Sequence, residues 1–137
     1  MLRVASVGSG SKGNATLVAS EETTLLIDCG FPAREMLSRL DQINVDIADI
    51  DAILVTHEHS DHIGGVAAVS KAAGAPIYAT HGTLTSGKLE GARTIVEIES
   101  DSEFAIGDIE VSAITVPHDA KEPRIVRHRD CLLYTSP

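Results

Sequence analysis

Aromatic side chains are scarce in this 137-residue chain: 3% of residues, with no tryptophan, two tyrosines and two phenylalanines. With 43% hydrophobic residues, the core it can build is aliphatic and alanine-rich. Two cysteines, Cys29 and Cys131, make no disulfide framework, so a cytoplasmic protein with reduced thiols is expected. Basic residues are few, 11 Lys+Arg against 20 Asp+Glu for a formal net charge of −9, which excludes a broad basic surface. Chemistry on phosphates is not thereby excluded, because bound dications invert the local potential. No apolar run approaches the length of a membrane span, and polar Gly and Ser arrive by residue 8, so neither a transmembrane helix nor a signal pattern is expected. Internal repeats, low-complexity stretches and linkers are also missing, and the length suits one domain with a real core.

Against this background one string stands out, His57-Glu58-His59-Ser60-Asp61-His62. Imidazole and carboxylate together are what a hydrolytic metal site uses. The string follows the apolar run Ala52-Ile53-Leu54-Val55 and precedes Ile63-Gly64-Gly65-Val66-Ala67-Ala68, which reads as strand, loop, helix. Loops at the carboxyl ends of strands are where α/β sheets place their sites. His57 and His59 are two apart, so in extended backbone they share a side and can clasp one ion. Asp61 and His62 follow after the chain turns, and point to a second ion. Two adjacent ions can clamp the attacking and leaving oxygens of a displacement. The plainer alternative, that Ser60 or Asp61 only caps the helix, explains none of the three histidines. Glu58 and Ser60 read as spacers.

Along the chain, Leu2 to Val7 reads as a first strand, followed by a Gly/Ser loop at 8–14. A strand pair, Ala15 to Ala19 and Thr23 to Ile27, flanks the turn Ser20-Glu21-Glu22. Pro32 opens a helix at its first position, with Ala33, Met36, Leu37 and Leu40 on one face. Asp51 to Thr56 is the strand that bears the histidine loop. A helix from about His62 to Ala73 should stop at Gly74. Gly64 and Gly65, in its first turn, suggest close packing against another backbone or a frayed start. Pro76 to Ala79 is a short strand, and His81 to Glu90 a helix interrupted by Gly87. Phe104 to Val111 is a hairpin with Gly107-Asp108 as its turn, and its second strand runs on to Val116.

The pattern His-x-His-x-Asp-His after a strand ending in Thr56 resembles the signature of metallo-β-lactamase-fold hydrolases. Leu25-Leu26-Ile27-Asp28-Cys29-Gly30 resembles the early motif in which an Asp supports the metal loop from behind; by itself Asp28 reads as a turn residue. Thr115-Val116-Pro117-His118-Asp119 resembles the motif that brings a third histidine to the first metal. Gly8-Ser9-Gly10-Ser11-Lys12-Gly13-Asn14, and the run His118-Asp119-Ala120-Lys121-Glu122-Pro123, resemble the YycJ/WalJ-like branch.

The resemblance implies an α/β fold, the amino-terminal half of an αββα sandwich. It implies His57, His59 and His118 on one ion, with Asp61 and His62 on the other. Asp61 also orients the nucleophile, and Asp28 steadies the loop. The Gly/Ser loop, with Ser9, Gly10, Ser11, Gly13 and Asn14, is either a flexible turn or a surface presenting N–H and hydroxyl groups to an anionic substrate. Two divalent ions are expected in an intact protein, zinc first and manganese as the alternative, and one in this chain. The implied activity is phosphodiester hydrolysis, with nucleic acid as the expected substrate. The alternatives are thioester or lactam hydrolysis, or a metal-binding fragment without catalysis.

After Pro123 the family pattern lapses. Residues 1–123 are expected to be part of a domain and 124–137 a non-native tail, since Cys131 to Pro137 look like translated adapter sequence. His128 is then no ligand. His81 reads as a helix-cap residue and Cys29 as a small buried one. The later Asp and His that would complete the second site have no counterpart here, so an inactive fragment is expected. Oligomeric state is not legible.

Overall fold

In the computed structural model, residues 2–10, 12–56, 59–92, 94–99 and 101–113 are described in full, and 124–128 and 131–135 as backbone. Strands β1 (Arg3–Gly8), β2 (Ala15–Ala19) and β3 (Thr24–Ile27) run antiparallel; β4 (Ala52–Leu54), β5 (Ile77–Thr80) and β6 (Ile95–Ile98) then continue parallel to β3. Together they form a six-stranded sheet in the order β1-β2-β3-β4-β5-β6. A second sheet holds β7 (Glu103–Ile106), β8 (Ile109–Ala113), β9 (Arg124–His128) and β10 (Cys131–Thr135), all antiparallel. Helix α1 (Ala33–Gln42) follows β3, α2 (Ser60–Ile63) and α3 (Val66–Ala73) follow β4, and α4 (His81–Leu84) follows β5.

The central strands are apolar on both faces because both faces are covered. Leu26, Ile53 and Val55 turn to one side, where they pack with Met36 and Leu40 of α1 and Val66 and Val69 of α3. Leu25, Ile27, Ala52 and Leu54 turn to the other side and meet Ile106, Ile109 and Val111 of the second sheet. The period-2 alternation of side chains thus divides one run of apolar residues between two cores. Tyr78 and Phe104 stack at 5.5 Å between ring centroids beside the sheet–sheet core. At one corner the sheets are pinned: Ser20 Oγ donates to Asp108 Oδ1 at 2.5 Å, and Gly107, at φ 59°, lies where a Cβ would stand 2.1 Å from Thr23 Oγ1.

Four local expectations change. The helix expected from about His62 to Ala73 is two helices, α2 and α3, broken at Gly64-Gly65. A Cβ at Gly65 would sit 1.7 Å from the Phe31 carbonyl oxygen, so the glycine is there for close approach, not through fraying. The helix from His81 ends at Leu84, where Thr85 Oγ1 and Ser86 Oγ donate to the carbonyls of Gly82 and Thr83, and Gly87 takes φ 76°. Leu37 is 45% exposed, because α1 packs on the core through Met36 and Leu40, with Ala33 beside them. Ile95–Ile98 is an additional strand, mostly exposed at the sheet edge.

The hairpin around Gly107-Asp108 and the stop at Gly74, at φ 71°, are as expected. Residues 114–120, through which the strand was to reach Val116 and deliver His118, lie outside the described residues. Strand β9 pairs with β8, Val111 opposite Val126, so the sheet continues past the boundary expected at 123. Among the described residues no helix is long and apolar enough to cross a membrane.

Candidate metal centre

Parallel pairing of β3 with β4 brings the ends of both strands to one edge, with Ile27 opposite Leu54. The next residues on each strand, Asp28 and Val55-Thr56, therefore meet. Asp28 is buried, at φ 62°, a left-handed conformation that Asp tolerates better than most residues. Its carboxylate accepts from Thr56 N at 2.7 Å, from Thr56 Oγ1 at 2.5 Å, and bonds His62 Nδ1 at 2.7 Å. An ionised carboxylate only accepts, so Nδ1 of His62 carries the proton. With Nδ1 so engaged, Nε2 faces the other way, 3.7 Å from Asp61 Oδ2. Burial opposes a charge on His62, but the hydrogen bond and charge of Asp28, helped by Asp61, outweigh it and hold the imidazole pKa above its usual value.

A carboxylate on one ring nitrogen and a second carboxylate oxygen near the other is the donor chemistry of a divalent-metal site, in which the first carboxylate sets the tautomer of the ligating histidine. The residues fit such an ion. His59 caps α2 and is exposed, its carbonyl accepting from the amides of His62 and Ile63. His57, Glu58 and His118 lie outside the described residues, as does Ser11. Among the described residues, no group of three or more metal-binding side chains converges.

The Gly/Ser loop stands beside this site. Asn14 Nδ2 is within hydrogen-bond distance of Gly10 O (2.9 Å), Asp61 O (3.1 Å) and Asp61 Oδ2 (3.1 Å), while Oδ1 accepts from Gly10 N. Gly8 and Gly13 close on the buried ring of Phe31: a Cβ on either would fall within 2.6 Å of it. Arg39 stacks over that ring at 4.0 Å and donates to the Val7 carbonyl. Ser9, Gly10 and Lys12 are exposed. A groove of about 460 Å³ runs past Lys12, Gly30, Ser60 and Asp61 to Gly64 and Gly65.

Thr56 and Phe31 are structural supports to which the motif reading gives no role. Thr56, in the motif a strand end, donates twice to Asp28. Phe31, one of only two phenylalanines, sits between Gly-rich segments, a signal visible in hindsight. Cys29 is wholly buried, its thiol pushed up to about 11 by burial, consistent with a packing role.

A sheet covered by helices on one face and a second sheet on the other, with a His/Asp loop leaving a central strand, is the architecture of a metal-dependent hydrolase. The family model described as "Metallo-beta-lactamase superfamily" matches residues 8–128, and the chain belongs to that superfamily. Membership implies divalent metal ions. The exodeoxyribonuclease WalJ of Streptococcus pneumoniae serotype 2 is 33% identical over 129 residues, covering 88% of this chain and 47% of WalJ. The exodeoxyribonuclease YycJ of Bacillus anthracis is 36% identical over 125 residues, covering 85% of this chain and 46% of YycJ. The chain thus spans about half the length of these relatives. Among solved structures, a Cronobacter sakazakii metallo-β-lactamase with a HARLDQ motif superposes with a TM-score of 0.77 at 22% identity, covering 93% of this chain and 56% of that one; this likeness shows the fold.

Proposed function

We propose that the intact protein is a metal-dependent phosphodiesterase acting on DNA, and that this chain holds its first metal-binding motifs. The observation that carries the metal assignment is the run Thr56–Asp28–His62, which leaves His62 Nε2 directed at Asp61. The substrate class rests on the two relatives named exodeoxyribonucleases, which match 85–88% of this chain. In this reading His57, His59 and His118 bind one ion, and Asp61 and His62 the other. Zinc is the first expectation and manganese the alternative.

Bound divalent ions would make hydroxide available near neutral pH and offset charge on the phosphate oxygens. This chain's residues do the rest. Asp28 keeps the proton of His62 on Nδ1. Asp61 presents a carboxylate to the ion and orients the nucleophile. Lys12, which lines the same groove as Asp61, would add a positive charge where a phosphodiester would lie. With a formal net charge of −9, phosphate attraction must come from such local cations and the ions, not from the surface at large.

The test is release of nucleotides from end-labelled single- and double-stranded DNA and RNA with Mn²⁺ or Zn²⁺, beside a thioester and a lactam. The intact protein should cleave DNA, and this 137-residue chain should not. Efficient thioester or lactam hydrolysis by the intact protein, with every phosphodiester untouched, would refute the assignment.

A further inference from the structure

The Gly/Ser loop invites a role in contacting substrate, but its last residue is committed elsewhere. We propose that Asn14 is a positioning residue for Asp61, holding that carboxylate in place for a divalent cation. The inference rests on Asp61 being a metal ligand.

The orientation of the Asn14 amide is fixed on both sides. Its oxygen accepts from Gly10 N at 3.1 Å and its nitrogen donates to Gly10 O at 2.9 Å, so a flipped amide would set like against like. The same nitrogen then faces two oxygens of Asp61, the carbonyl and Oδ2, each at 3.1 Å. The Asn14 backbone N–H adds a bond of 2.7 Å to the Asp61 carbonyl. From the far side Gly30 closes the box: its N–H donates to the Asn14 carbonyl, and its Cα lies so near Asp61 that a Cβ would stand 2.1 Å from the carbonyl oxygen. Both polar atoms of the Asn14 side chain are therefore engaged within the protein. The loop beneath is braced by Phe31 between Gly8 and Gly13.

For Asp61 the consequence is a carboxylate already oriented before an ion arrives. One lone pair of Oδ2 is taken by the amide, and the same oxygen lies 3.7 Å from His62 Nε2, so the amide fixes the oxygen nearest that ring nitrogen. Hydrogen bonds of this kind to ligating carboxylates are typically worth about 10–100-fold in metal affinity.

The experiment is a double-mutant cycle by titration calorimetry on the 137-residue chain with Mn²⁺ and Zn²⁺, reading the weaker binding step, the one assigned to Asp61 and His62, after the three-histidine site is filled, with Asn14→Ala, Asn14→Asp, Asp61→Ala and the Asn14→Ala/Asp61→Ala pair. Asn14→Asp keeps an acceptor for Gly10 N–H but replaces the donor facing Asp61 with a second carboxylate. Metal-free circular dichroism of each variant separates lost positioning from lost folding. The expected result is a loss of about 10–100-fold for both Asn14 variants, with wild-type metal-free spectra and little further loss in the Asp61→Ala background. Affinity within twofold of wild type for Asn14→Ala, while Asp61→Ala loses its ion, would overturn the proposal and leave the metal site standing. Full additivity would overturn it likewise, as would failure of both Asn14 variants to fold without metal, which would make Asn14 a residue of the fold. An Asp61→Ala chain whose weaker binding step matches wild type would refute Asp61 as a metal ligand, and this inference with it.

Discussion

Asp28 shows how much one side chain decides here. It accepts from a buried amide and a buried hydroxyl of Thr56 and from His62 Nδ1, in a backbone conformation that most residues avoid. Asp28→Ala would strand those donors, at about 1–3 kcal/mol for a buried group left unpaired. We expect a loss of about 2–4 kcal/mol in urea unfolding of the metal-free chain, for a change of this class. Asp28→Asn should fold better but bind metal less. Its amide nitrogen would face His62 Nδ1, favour a proton on Nε2 and weaken that nitrogen as a ligand by about 10–100-fold. Equal metal affinity in Asp28→Asn and wild type would contradict this account. For Cys29, burial predicts inertness. Peptide mapping after iodoacetamide at pH 8 should find it unmodified in the native chain and alkylated once the chain is unfolded in urea. With a thiol near 11, the thiolate at that pH is about one part in a thousand. Modification at the same rate in both states would show that position 29 opens readily.

At the scale of elements, glycines decide where the chain can bend and how near it can come. Gly65 separates α2 from α3 and touches the Phe31 backbone, its N–H donating to the Cys29 carbonyl. Gly74 ends α3 at φ 71° with open space around it. The two positions should respond differently to alanine. Gly74→Ala is expected to cost about 1–2 kcal/mol, the strain of a left-handed alanine. Gly65→Ala forces two backbones apart and should cost more, above about 3 kcal/mol or the fold itself. Thermal melts of the two variants check the order, and a Gly65→Ala chain as stable as Gly74→Ala would show that the contact yields. Helix propensity alone would have ranked both glycines alike, since the difference lies in a partner 34 residues away in sequence, between Phe31 and Gly65.

At the scale of the whole molecule, the second sheet depends on pairing along β8. Strand β9 lies against β8 and β10 forms the outer edge. We propose that residues from Cys131 onward are not native to the domain. Deleting 131–137 should leave the melting temperature within about 2 °C, below the shift that 1 kcal/mol gives a chain of this size. Deleting from 124 strips β8 of its partner and should lower it further. A large loss from the shorter deletion would show that β10 belongs to the fold. The amino-acid sequence alone determined the mixed α/β class, the strand ahead of the histidine string, the helix stop at Gly74, the 104–111 hairpin and the family, because each is written in local periodicity, turn residues or a short motif. Only the tertiary structure decided that Asp28 meets Thr56 and His62, that Gly65 packs on Phe31, and that Asn14 reaches Asp61. Those contacts span 28 to 47 positions of chain and arise from parallel strand pairing and close backbone approach. No spacing rule along the chain encodes which residues that pairing brings together.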